Sequence, residues 1–223
     1  MKADHPDFIR ATATSYDAIA GDYTARFSDW AGVPTFDRAL IDGFAALVRE
    51  RGREPVADVG SGPGTVTARM HGLGVPVFGV DVSPGMVALA RRNHPALRFH
   101  VGSMTSLDLP DATLGGVLAL YSVIHVPDEA LAGVFAEFRR VLVPGGYLLL
   151  AFQLGDGERT THLHLAERFG HPVSLDYYLR SPEPVTALLA EAGLALHSTV
   201  VREPEGEEKR GRVFVLARRA GRD

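Results

Sequence analysis

Short apolar runs separated by segments long enough for one helix each constrain this chain's fold more than any single residue does. The runs fall at 55–60, 75–80, 97–101, 114–121 and 147–152. Runs of this length without polar alternation suit strands buried on both faces. Strands alternating with helices imply βαβ units, hence a parallel sheet with right-handed crossovers and helices on both faces. Helical spacing of Phe36, Leu40, Ile41, Phe44, Leu47 and Val48 predicts an amphipathic helix over 35–51, stopped by Gly52. Ser83-Pro84 predicts a capped helix to about Asn93, Leu131 to Leu142 another, and Ser181-Pro182 a third before Gly193. Runs 194–202 and 212–218 follow, joined by the polar stretch 203–211. That joint is too short for a crossover helix, so the two strands should pair antiparallel at the sheet edge. The expected fold class is α/β: a doubly wound, Rossmann-like, mostly parallel seven-stranded sheet with an antiparallel C-terminal edge hairpin.

The 223 residues are long for one domain but within what one α/β sheet organises. A single domain is expected over 1–223, with 1–52 as a helical cap and 153–180 as an insertion that helps form an acceptor pocket. The absence of cysteine excludes thiolate zinc sites, thiol nucleophiles and redox motifs. Nothing like a leader follows Met1-Lys2-Ala3-Asp4-His5-Pro6, and no apolar run is long enough to span a bilayer, so a soluble, cytoplasmic protein is expected. With 23 Lys and Arg against 27 Asp and Glu, the overall field does not favour a polyanion, and nucleic acid is not expected as a partner.

The strongest local signal is Asp58-Val59-Gly60-Ser61-Gly62-Pro63-Gly64-Thr65, at the junction of the first strand with its helix. Glycines there let the backbone pass close to a ligand, in the crevice where open α/β sheets bind. Neither glycine register fits G-x-G-x-x-G, since Thr65 or Thr67 falls at the last position, and no phosphate-loop lysine is present. Asp81, closing the second strand, is placed to accept hydrogen bonds from two ribose hydroxyls. Together these features suggest a nucleoside without phosphates.

Here the chain resembles the class I S-adenosylmethionine-dependent methyltransferases. Asp58 to Gly64 is similar to their first motif, Gly79-Val80-Asp81-Val82-Ser83 to their ribose-binding acidic turn, and Val141-Leu142-Val143-Pro144-Gly145-Gly146 to the turn before their fifth strand. Tyr16-Asp17-Ala18-Ile19-Ala20-Gly21-Asp22-Tyr23 is similar to the N-terminal helix that closes over the cofactor in small-molecule members. The resemblance implies a cofactor, S-adenosyl-L-methionine, with Gly60, Ser61 and Gly62 around its methionine part, Asp81 on its ribose and Gly64 also among the residues that bind it. It implies Val82 and Met86 over the adenine and Ser103 and Met104 beside it, with Tyr121 also among the cofactor-binding residues; hydroxyls from Tyr16 or Tyr23 near the sulfonium would suit its polarised methyl. Ser103 stands where the family usually has Asp, which leaves a weaker, neutral acceptor.

Methyl transfer to a small-molecule acceptor, at O, N or C, is the expected activity. The Asn/Asp-Pro-Pro-aromatic motif of base-modifying relatives is absent after the fourth strand, where Leu120-Tyr121-Ser122-Val123 stands. His125 is the first candidate general base, with His162 and His164 in reserve, and it equally suits a structural hydrogen-bonding role. His162 and His164 share a strand face, but no third ligand sits at metal spacing, so no metal is expected. The acidic run Glu203 to Glu208 reads as a solvated hairpin loop. Two other readings stay open: a non-catalytic S-adenosylmethionine-binding regulator, and a nicotinamide-dependent oxidoreductase on the same sheet. The oligomeric state is not legible.

Overall fold

A computed structural model describes residues 6–157 and 160–221. Met1 to His5, part of the start read as lacking a leader, lie outside the described residues, as do Glu158 and Arg159 of the 153–180 segment. Helices α1 (Asp7–Phe27) and α2 (Thr35–Arg51) precede β1 (Val56–Val59), α3 (Thr65–Gly72), β2 (Val77–Asp81), α4 (Pro84–Asn93) and β3 (Arg98–Val101). Then come β4 (Leu114–Leu120), α5 (Asp128–Val141), β5 (Leu142–Gln153), β6 (Thr161–Arg168) and β7 (His171–Leu179). Helix α6 (Pro182–Glu191) leads to β8 (Leu194–Arg202) and β9 (Arg212–Arg219).

The seven-stranded sheet has the order β3-β2-β1-β4-β5-β9-β8. Strands β1 to β5 pair in parallel, and β9 pairs antiparallel with both β5 and β8, as expected. Alternate residues of the central strands feed two cores. Val117, Ala119, Leu148 and Leu150 pack with Leu131, Val134 and Phe138 of α5 and Leu189 of α6. Leu118, Leu149 and Ala151 pack with Ile41 and Phe44 of α2 and Met70 of α3. Burial on both sides explains why these strands are almost wholly apolar.

Three local features differ from the sequence reading. Strand β5 begins at Leu142, five residues early, because Leu142 pairs with Leu114 before Val143 to Gly146 bulge out and pairing resumes at Gly116 with Tyr147. Ser181 precedes α6 in extended backbone but its hydroxyl makes no capping bond, whereas Ser83 Oγ accepts from Met86 N at 3.0 Å. The acidic loop is not simply solvated: the Glu208 carboxylate grips Arg202 at 2.6 Å and Arg212 at 3.2 Å. Arg202 in turn makes a bidentate pair with buried Asp37 of α2, at 2.6 and 2.8 Å.

Strands β6 and β7 form a separate two-stranded sheet turned at Phe169 and Gly170, both with positive φ, +53° and +80°. Two such residues define the turn that matches hairpin twist, and Phe at the first of them is unusual. This hairpin lies along α1: Ser174 N donates to Ser15 Oγ at 2.9 Å and His171 Nε2 meets Asp22 Oδ2 at 2.9 Å. Between α1 and α2, Trp30 carries the Arg69 guanidinium over its ring, 5.5 Å from the centroid, and Arg69 pairs with Asp42. No helix among the described residues is long and apolar enough to cross a membrane.

Candidate active site

A cleft of about 730 Å³, its open mouth included, lies at the carboxyl ends of β1, β2, β3 and β4, where the strand order reverses between β1 and β4. Ligands of open α/β sheets sit at such a switch point. Helix α1 roofs it. Of the residues singled out in the sequence, Tyr16, Tyr23, Gly60, Gly62 and Asp81 line the cleft, and so do Val82, Met86, Ser103, Met104, Tyr121 and His125. Ser61 and Gly64 do not.

The glycines divide by what surrounds them. A Cβ on Gly60, at φ +82°, would lie 2.3 Å from Ser122 Cβ, and one on Gly64, at φ +88°, 2.7 Å from the Phe99 ring. Both are required by packing. A Cβ on Gly62, at φ +52°, meets nothing within 4 Å, so the missing side chain leaves space on the cleft floor. Ser61 is tucked against Gly79, where its buried Oγ has no hydrogen-bond partner among the described residues.

Asp81 is buried, and each carboxylate oxygen takes one backbone N–H: Gly62 N to Oδ2 at 2.8 Å and Ser83 N to Oδ1 at 2.9 Å. An ionised carboxylate offers about four lone-pair sites, so acceptor capacity remains on both oxygens. Burial raises its pKa and these amides oppose the rise. Behind it, Asp58 accepts from Thr67 Oγ1 at 2.6 Å, and burial pushes its carboxyl up to about 6. Ser103 is less free than the sequence implied: its Oγ bonds Thr105 Oγ1 at 2.8 Å and accepts from Thr105 N at 3.2 Å.

On the opposite side His125 is 6% exposed and both ring nitrogens are engaged. Nδ1 lies 2.8 Å from the Asp176 carbonyl of β7, which can only accept, so Nδ1 carries the proton and Nε2 accepts from Tyr16 OH at 2.9 Å. Burial lowers His125 to about 4, which leaves the ring neutral throughout the neutral range. Burial likewise raises the Tyr16 and Tyr23 hydroxyls. The edge-to-face contacts of Tyr16 with His125 at 5.4 Å and with Tyr23 at 5.7 Å, and of His125 with Tyr177 at 4.8 Å, form a continuous aromatic wall.

Several positioning groups escaped the sequence reading. Arg180, 4% exposed, donates to the carbonyls of Val126 at 2.6 Å and Val123 at 3.3 Å, fixing the turn that carries His125. Asp17 accepts from Ser83 Oγ at 2.5 Å and Gly85 N at 2.7 Å, pinning α1 to the start of α4. Tyr121, at φ +54°, donates to Asp37 Oδ2 at 3.3 Å. These partners are separated by tens of residues, and no spacing rule connects them. His162 Nε2 and His164 Nδ1 both meet Asp176 Oδ1, at 2.7 and 2.9 Å, on the exposed side of the hairpin and outside the cleft lining. Among the described residues no group of three or more His, Asp or Glu is placed to hold a metal ion.

Comparison with known proteins agrees with this geometry. Residues 56–146 match the model of a methyltransferase domain family. The demethylmenaquinone methyltransferase of Chlorobaculum parvum is 36% identical over 117 residues, covering 52% of this chain and 48% of that protein. The chain spans about half the length of the curated relatives it matches first. Among solved structures, the DhpI complex with SAH is 27% identical with a TM-score of 0.67, covering 96% of this chain and 98% of that one. The [4+2]-cyclase SpnF, 18% identical with a TM-score of 0.72 over 97% of this chain and 98% of that one, shares the fold. By domain match over 56–146 and by fold, the chain is similar to the class I S-adenosylmethionine-dependent methyltransferases.

Proposed function

We propose that this chain transfers the methyl group of S-adenosylmethionine to a small-molecule acceptor in the cleft beneath α1. The observation that carries the reading is Asp81: a buried carboxylate on the cleft wall with unused acceptor capacity on both oxygens, beside a glycine whose absent side chain leaves room. That pair fits a ribose diol and an uncharged chain passing over Gly62. We assign Asp81 to the ribose, Gly60 and Gly62 to the methionine part, and Val82, Met86, Ser103 and Met104 to the adenine. Tyr16, Tyr23 and Tyr121 then face the sulfonium end. Ser61 and Gly64 shape the loop from behind. Residues 1–52 act as the cap and 153–180 support the acceptor side through β7, within one domain over 1–223.

When bound, S-adenosylmethionine supplies a methyl group on a positively charged sulfur whose departure as a neutral thioether needs no acid. The residues around it chiefly hold the reacting atoms in line, an effect worth ~7–11 kcal/mol in well-oriented intramolecular reactions. An acceptor that must lose a proton meets the Tyr16–His125 pair. Tyr16 Oη takes the acceptor's proton as its own passes to Nε2, and the Asp176 carbonyl holds the Nδ1–H that steadies the resulting imidazolium. A ring held near 4 is a weak base, so this route suits an acceptor that is itself fairly acidic. His162 and His164 have no part in it. A role inside the cell fits this chemistry.

Calorimetric titration with S-adenosylhomocysteine and, separately, with NADH tests the reading. Saturable binding of the first and none of the second is expected; the reverse would turn the site over to nicotinamide chemistry. Binding without turnover on any acceptor would favour a regulator.

A further inference from the structure

The acceptor end of the cleft, between the first turns of α1 and the turn after β4, is short of hydrogen-bond donors. Thr12 Oγ1 donates to the Phe8 carbonyl at 2.8 Å and Ser122 Oγ to the Val59 carbonyl at 2.8 Å. Tyr16 donates to His125 Nε2, and the His125 Nδ1–H is held by the Asp176 carbonyl. Each of these side-chain protons is committed inside the protein, while the lone pairs of Thr12 and Tyr16 remain. Phe8, Ile9 and Val126 complete the walls. No Lys or Arg is among the described lining residues, and their one carboxylate is Asp81 on the cofactor side. Arg168, whose charge is felt at Tyr16, Tyr23 and His125, lies outside the lining. Its guanidinium bonds Tyr177 OH and covers the Tyr23 and Phe169 rings.

A charged group brought into such a lobe loses its hydration and touches no Lys or Arg among the described lining residues in return. A neutral molecule that donates a hydrogen bond finds apolar walls and an accepting oxygen at Tyr16. We propose that the methyl acceptor is an uncharged, largely apolar compound that enters with a hydroxyl donating to Tyr16 Oη. Carboxylates, phosphate esters and ammonium compounds are excluded. The inference rests on the methyltransferase reading for the assignment of the two ends of the cleft.

The test uses three probes of one shape, 2-naphthol, 2-naphthoate and 2-(aminomethyl)naphthalene, titrated at pH 7 into the full chain saturated with S-adenosylhomocysteine. Naphthol is expected to bind at least tenfold tighter than either ion. In Thr12→Lys, naphthoate should gain at least tenfold while S-adenosylhomocysteine affinity stays within about threefold of the parent chain. Equal or tighter binding of either ion to the parent chain, or no measurable binding of naphthol, would overturn the proposal. Failure to reach saturation with S-adenosylhomocysteine would instead sink the cofactor reading, and the proposal with it.

Discussion

On the sheet side of the cleft Gly62 and Asp81 meet across 19 residues of chain, each delivered by the end of a buried parallel strand. On the roof side Tyr16 and His125 meet across 109 residues, and their contact depends on α1 lying against the β6–β7 hairpin. The sheet side keeps unused acceptor capacity, as at Asp81, whereas the roof side uses most of its polar atoms to hold itself together. The difference assigns tasks: the first side is built to bind, the second to position and exclude water.

Asp81→Ala should break the comparison most severely. Losing a charge-assisted acceptor for two hydroxyls is expected to weaken S-adenosylhomocysteine at least 10²-fold by calorimetry, with circular dichroism unchanged. Affinity within about threefold of the parent chain would remove the ribose assignment. His125→Ala and Tyr16→Phe probe the other side, where the single-turnover rate on an ionisable acceptor should fall by ~10²-fold and cofactor affinity should barely move. If either variant loses cofactor affinity but not rate, the roof binds rather than positions.

Stability against pH sharpens the contrast, because His125 on one side and Asp58 on the other are perturbed in opposite directions. His125 lies near 4 in the fold against 6.5 for an unperturbed imidazole, so as pH falls from 6.5 to 4 the unfolded chain takes up a proton the fold refuses. At 1.36 kcal/mol per pKa unit, about 3 kcal/mol of stability is lost over that window. Asp58 lies near 6 against 3.8, so the folded carboxyl is protonated where the unfolded one is ionised, and acidification from above 6 to 3.8 adds about 3 kcal/mol. Urea unfolding across that range should therefore show His125→Ala falling less steeply on acidification than the parent chain and Asp58→Asn more steeply. Matching slopes would mean that neither side is as dry as described.

Gly62→Ala places a methyl group in open cleft space at a positive φ, costing about 1–2 kcal/mol of stability and weakening cofactor binding. A stable variant with parent affinity would make the loop merely a turn. The smallest effect belongs to the exposed Arg26–Glu207 pair at the far end of α1, where Glu207→Gln should change unfolding free energy by less than about 0.5 kcal/mol. A larger loss would show that the acidic loop holds the roof.

Strands β1 to β5 were legible because central parallel strands must be apolar on both faces, and Gly60, Gly62 and Asp81 because they stand at strand ends in a fixed order. The β6–β7 hairpin was not: Leu163 is exposed, polar residues fall on both faces, and its turn places Phe169 where Asn or Gly would signal a hairpin. Helix α1 shows a narrow stripe, with Ile9, Ser15, Ile19 and Ala20 its buried residues, so its length was hidden although Tyr16 and Tyr23 were noticed. Asp37 and Arg180 carry no signal in the sequence, and only tertiary structure makes them buried supports for Tyr121 and for the His125 turn. The beginning of β5 was missed because Pro144-Gly145-Gly146 signals a stop, which a bulge can absorb.

Trp30 is the sole tryptophan of the chain, and it sits at the joint between the roof helix and α2 with the Arg69 guanidinium across its face. Its emission is thus a built-in optical reporter of that joint, free of background from any other indole. Mixing with ligand in a stopped-flow fluorimeter would time how fast the roof settles, and a slow recovery after the ligand is displaced would mark departure from the cleft as the step that limits turnover.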